Sequence, residues 1–258
     1  VKLMYRHGVD VPSALALRMM LAVPFYLGVA LFLSRRPHNV RLTKREWLAI
    51  SGLGILSYYV SSMLDFLGLQ YVTASVERLV LYTYPTIVLI LSAVLFGRRI
   101  SRIQYLALIL TYFGVVLAFA AEKGFSGQRD LLQGGSLVFG CAITYAFYVV
   151  CTGEYVHRVG SAKFTCYAVM AATLPALAQS AWHNQFDLFR FPAQVSVLSG
   201  WLAVVATVIP TFLIVEGIRI VGANNSGIIG FVGPVATILL IYIFLDEPVT
   251  ALQLLGTA

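Results

Sequence analysis

Charge is what this sequence has least of. Only 11% of its 258 residues are Asp, Glu, Lys or Arg, against about 25% in a soluble domain, while 59% are hydrophobic. Such a balance excludes a water-solvated globular fold. Cysteine is scarce as well. Cys141, Cys151 and Cys166 stand within or beside apolar segments and make no CxxC or Cys/His spacing, which leaves neither a disulfide framework nor a metal site. His7, His38, His157 and His183 fall near the ends of apolar segments without an HExxH pattern and read as interfacial loop residues. There are no paired aspartates and no cysteine has a histidine companion, so catalysis lacks a visible nucleophile and base, and no cofactor is expected. A net charge of +7 would suggest nucleic acid in a soluble protein. Here the basic residues lie in short loops between apolar runs, so no nucleic-acid partner is expected and orientation in a lipid bilayer explains them better.

What the chain has in abundance is long apolar runs. They fall at about 12–34, 46–69, 72–97, 101–121, 133–156, 161–182, 194–218 and 223–245. Each is long enough to cross the roughly 30 Å of hydrocarbon as a helix. The opening VKLMYR reads as the last turns of a further helix and the closing VTALQLLGTA as the start of another. The expected fold class is therefore an all-α polytopic membrane protein of ten helices, eight of them complete. Alternate loops differ in basic residues by eleven to three: Arg35, Arg36, Arg41, Lys44, Arg45, Arg98, Arg99, Arg102, Arg158, Lys163 and Arg219 against Lys123, Arg129 and Arg190. The basic set is expected in the cytoplasm, with both termini on that side of a bacterial-type inner membrane.

A shift of 149 residues sets Pro85 on Pro234, Leu64 on Leu213, Gly68 on Gly217, Val72 on Val221, Ala74 on Ala223 and Gln104 on Gln253. Five helices per half is an odd number, so the halves, 1–121 and 133–258, are expected upside down to one another. FGRRIS in the first half then aligns with LDEPVT in the second, basic inside and acidic outside. Inverted repeats with a proline-interrupted helix in each half are a secondary-transporter architecture. The paired patterns GLQYVTAS…P…LSAVLFGRRIS and GIRIVGANNSG…P…IFLDEPVT, with Arg18 in ALRMM and the element Asp246, Glu247 and Thr250, resemble the EamA-type family of the drug/metabolite transporter superfamily. The resemblance implies a ten-helix carrier of small metabolites with no ATP-binding domain. Arg98 departs from it, standing where the family usually carries a glutamate.

The stretch 71–102 concentrates the candidate residues. It opens with Glu77 and Arg78, carries Pro85 inside the span and ends in Arg98, Arg99 and Arg102. By depth, Arg18, Asp65, Glu77 and Arg78 share one outer level, where charges are costly unless paired or wet. They read either as an outer gate or solute site, or as structural ion pairs. Arg78, Tyr82 and Pro85 share one side of a helix at spacings of four and three. Tyr58 with Asp65, Thr144 with Tyr148, and Thr207 with Thr211 form further polar stripes, which suit a cavity wall or inter-helix hydrogen bonds. Asn225 and Pro234 belong to the Gly-rich counterpart in the second half.

The expected function is alternating-access movement, export rather than import, of an amino-acid-like or amphipathic small-molecule solute, by a monomer or homodimer. An intramembrane enzyme or a membrane sensor is the alternative. Cysteine labelling from outside should reach the loop at 122–130 and not the loop at 35–45. Labelling of both from one side would overturn the inverted arrangement.

Overall fold

The computed structural model describes residues 9–35, 42–120, 130–184 and 193–230. Pro234 and the Asp246, Glu247 and Thr250 element lie outside them. Every regular element among the described residues is helical, as hydrocarbon demands when the backbone must satisfy its own hydrogen bonds. Short polar side chains set the starts. Asp10 caps α1 (Val11–Ser34), accepting from the Ser13 N–H at 3.3 Å. Thr43 opens α2 (Lys44–Gly54) through a capping box with Glu46, which satisfies two otherwise orphaned N–H groups. A π-helical segment, Ile55–Ser61, runs on into α3 (Ser62–Gly68).

Thr73 caps α4 (Ala74–Leu81), and α5 (Tyr84–Phe96) follows after a two-residue turn. The expected single helix over 72–97 is thus two. Pro85 sits in the first turn of α5, where its missing N–H costs nothing. In a continuous helix it would clash with the carbonyl four residues back. α6 (Arg102–Ala120), α7 (Leu131–Val159) and α8 (Ser161–Asn184) come next. α9 (Ala193–Ala203) passes through a second π-helical segment, Val204–Val208, into α10 (Ile209–Ile229).

Among the described residues, five stretches are long and apolar enough to cross a membrane: Val11–Ser34, Lys44–Gly68, Val76–Phe96, Leu131–Val159 and Gln194–Ile229. The last has 36 residues, a length of about 54 Å at 1.5 Å per residue, too long for one crossing. It breaks at Gly222, whose φ of 81° is a left-handed value that favours glycine. The break falls between the expected runs 194–218 and 223–245.

The surface, and not the core, sets this packing apart from that of a soluble protein. Large apolar side chains such as Leu132, Ile103, Val94 and Leu174 are exposed on the perimeter. The buried contacts are rich in alanine: Ala14, Ala16 and Ala22 of α1, Ala142 and Ala146 of α7, and Ala168, Ala172 and Ala176 of α8. Small residues let helix backbones approach where no hydrophobic driving force separates protein from lipid. α7 and α8 form the centre: α3, α4, α5 and α10 pack on α7, while α1 and α2 pack on α8.

α2 and α8 approach backbone to backbone. A Cβ built on Gly54 would run into the backbone carbonyl of Ala168, and backbone cannot step aside as a side chain can. Gly54→Val should therefore lose well over the ~1–3 kcal/mol of ordinary overpacking. The check is the yield and thermal midpoint of purified protein, with Gly52→Val, where a Cβ meets nothing within 4 Å, as the silent control.

Candidate functional site

The polar side chains of the interior fall into three levels. At the first end, the second turn of α1, the close of α3 and the start of α4 converge. The Arg18 guanidinium lies over the Phe66 ring, 4.8 Å from its centroid. Asp65 lies within the electrostatic reach of both Glu77 and Arg18. Glu77 is 8% exposed, and Asp65 Oδ1 is buried with no hydrogen-bond partner. The geometry thus gathers half-buried Arg18 and Asp65 with buried Glu77 into one group.

Arg78 does not join that group on the same side. It is exposed, whereas its neighbour Glu77 is buried. The expected common side of Arg78, Tyr82 and Pro85 is not met, because it needs a continuous helix and the chain turns at Tyr82 and Thr83 between α4 and α5. Tyr82 still feels the charges of Arg78 and Glu77, and Pro85 is buried against Gly227 of α10.

The second level is aromatic. Tyr58, in the first π-helical segment, and Tyr148 of α7 share a hydroxyl–hydroxyl bond of 2.7 Å, with ring centroids 5.4 Å apart. Tyr148 stacks at 6.2 Å with Tyr145, which meets Tyr84 of α5 edge-on at 5.2 Å. Phe164 of α8 closes on Tyr148 from the other side at 6.2 Å. Tyr84 donates to the Gly227 carbonyl of α10 at 3.3 Å. Across the interior, Tyr26 of α1 and Thr211 of α10 are bonded at 2.7 Å, both buried. The candidates read from the sequence lacked Tyr26, Tyr84, Tyr145 and Phe164. The three-residue spacing of Tyr145 and Tyr148 was a usable signal, since it puts both rings on one side of α7.

Other candidates turn away from these groups. The Thr144 hydroxyl donates to the carbonyls of Gly140 and Cys141 in its own helix, at 3.0 and 2.9 Å. Thr207 is buried and donates to the Leu202 carbonyl at 2.9 Å. Asn225 is exposed and accepts from Gln104 Nε2 of α6 at 2.9 Å.

The third level, at the opposite end, is ionic. Glu46 of α2 pairs with Arg158 of α7 at 2.7 Å, and Arg98, just past α5, pairs with Glu154 of α7. Glu216 binds Arg219, three residues further along the same helix, and also accepts from Ser161. Residues of the basic loop set, Arg98, Arg158 and Arg219, therefore all lie in ion pairs.

Long apolar helices with large hydrophobic side chains exposed on their perimeter define an α-helical integral membrane protein. The sequence profile of the EamA-like transporter family matches residues 1–120 and 132–258, and the chain belongs to that family. Uncharacterized transporter YcbK of Bacillus subtilis (strain 168) is 32% identical over 99% of this chain and 83% of its own length. Uncharacterized transporter sll1319 of Synechocystis sp. is 26% identical over 81% of this chain and 63% of its own. A solved crystal structure shares the fold, with a TM-score of 0.77 at 18% identity over 96% of this chain and 85% of that one.

The Tyr26–Thr211 bond gives a direct test of how the interior is held. Thr211→Val strands a buried hydroxyl and should cost about 1–3 kcal/mol, seen as a lower thermal midpoint in detergent. Adding Tyr26→Phe should recover most of the loss.

Proposed function

We propose that this protein is a secondary transporter that moves a small amino-acid-like or amphipathic solute across the cytoplasmic membrane by alternating access, in the direction of export. The observation that carries the reading is a repeat in the backbone. The π-helical segments begin at Ile55 and Val204, separated by the same 149 residues that set Pro85 on Pro234. The break at Gly222 stands at that same distance from Thr73, the residue that caps α4. π-Helical turns are uncommon and concentrate at functional sites. Two at equivalent places support a duplicated unit, and the odd number of helices and the loop charges support its inversion. Membership of a transporter family supports a solute and a bilayer as the partners.

In this reading the interior between the two units is the path. Tyr58, Tyr148 and Thr211 line its middle, Arg18, Asp65 and Glu77 close its outer end, and Arg78 and Tyr82 meet the solute first. Asp65 and Glu77 can hold a basic group, and Arg18 can hold a carboxylate, so the level suits a zwitterion. Thr144, Thr207 and Asn225 keep the path-lining role expected of their segments only as neighbours that hold its walls.

Transport by Arg78→Ala and by the double variant Glu77→Ala with Arg78→Ala tests this, in cells screened against panels of amino acids and toxic metabolites. Arg78→Ala should abolish transport with membrane-inserted protein unchanged, since an exposed side chain contributes little to packing. Glu77→Ala alone should lower the inserted amount, by about 3–5 kcal/mol of stability if it strands a buried charge. Transport regained in the double variant would make the pair scaffolding and overturn the site.

A further inference from the structure

Glu154 and Arg158 lie four residues apart near the end of α7, the acid first. That spacing and order favour an ion pair within one helix. Each is taken by another element instead. Arg98 holds Glu154, and Glu46 holds Arg158 at 2.7 Å. The Glu46 side chain is only 9% exposed and is fixed from behind by the Thr43 N–H at 2.9 Å and hydroxyl at 2.8 Å. Both ion pairs run from the segment before residue 121 to the segment after residue 132, at the end of the bundle away from Arg18.

We infer that these four side chains form a partner-exchange latch on the inner mouth. With the mouth shut, α7 is tied to the first segment through Arg98–Glu154 and Glu46–Arg158. With the mouth open, Glu154 and Arg158 pair with each other. The inference rests on the alternating-access reading, since the two segments must part at this end.

The exchange answers an energetic difficulty. Breaking two ion pairs would leave four charges in search of partners close to hydrocarbon. After exchange, Glu154 and Arg158 neutralise one another on α7. Glu46 keeps its bonds to Thr43 as the cap of α2. Arg98, beside Arg99 and Arg102 at the end of a span, turns to water or lipid headgroups. Half-exposed pairs bias an equilibrium by about one-and-a-half- to five-fold each, which sets populations without locking either state. Glu216, Arg219 and Ser161 form a comparable group, but all three belong to the second segment, so their bonds need not break.

The test reads distance and needs no solute. Spin labels on Lys44→Cys and His157→Cys, both exposed positions, report the width of the inner mouth by pulsed electron resonance in nanodiscs. Cys141, Cys151 and Cys166 are replaced by alanine in the labelled parent. The double variant Glu46→Gln with Arg98→Gln removes both cross pairs and leaves the α7 pair available. Glu154→Gln with Arg158→Gln removes both cross pairs and the α7 pair together. The amide oxygen that Glu46→Gln introduces still accepts from the Thr43 cap, so the start of α2 is preserved.

Both doubles should enlarge the long-distance population, the first by about a further one-and-a-half-fold or more over the second. Equal populations in the two doubles would overturn the exchange. No change from the parent in either would overturn the latch, as would an equal shift in Glu216→Gln. Salt on the labelled parent gives an answer that no variant's folding can obscure: raising it to molar levels should lengthen the distance, and an unchanged distribution there would also overturn the latch. A single separation in every variant and at every salt level would instead sink alternating access itself.

Discussion

Everything in this molecule follows from the impossibility of leaving a polar group unmatched in hydrocarbon. The backbone answers by being helical throughout the regular elements of the described residues. Side chains answer by facing lipid with Leu, Ile and Val on the perimeter, while the mostly apolar interior admits Tyr, Thr and a few acidic groups. The same rule explains why hydroxyls of the interior meet in pairs. Tyr58 finds Tyr148, and Tyr26 finds Thr211. A transporter turns this constraint to use, because a solute that replaces one member of such a pair must offer similar chemistry.

How much of this was legible in the residues depended on how local each signal was. The helix starts were, since Thr43, Thr73, Asp10 and Asp130 cap the helices that follow them. Apolar runs marked the helices to within a few residues, because period and length are properties of a single segment. The Glu216–Arg219 pair needed only a spacing of three. The division into α4 and α5 was half visible: Pro85 announced an interruption, but a break and a kink look alike in sequence. The π-helical segments carried no signal at all, since their extra residue reflects tertiary packing and not composition.

The candidate site was legible in its levels and illegible in its partners. Depth along each span placed Arg18, Asp65 and Glu77 together. Rotation about each helix axis did not follow from depth, so Arg78 was assigned to a side that the turn at Tyr82 does not allow. Glu46 and Arg98 lie dozens of residues before Glu154 and Arg158, and nothing in a linear reading joins them. Tyr84 and Tyr26 stayed unremarked because aromatic residues are common in membrane spans and a single ring gives no direction.

The Gly54–Ala168 approach has a mechanical consequence. Many helix contacts run through side chains that can slide or change rotamer, but there backbone rests on backbone with no compressible layer between. It also lies partway along the span that begins with α2, between the ion pair at Glu46 and the buried charges beyond the π-helical segment. In the alternating-access reading proposed above, a contact that can neither compress nor slip, set between the two ends of the bundle, is placed to act as a fulcrum. Under that reading, widening one end would narrow the other by leverage alone, with no separate signal between them.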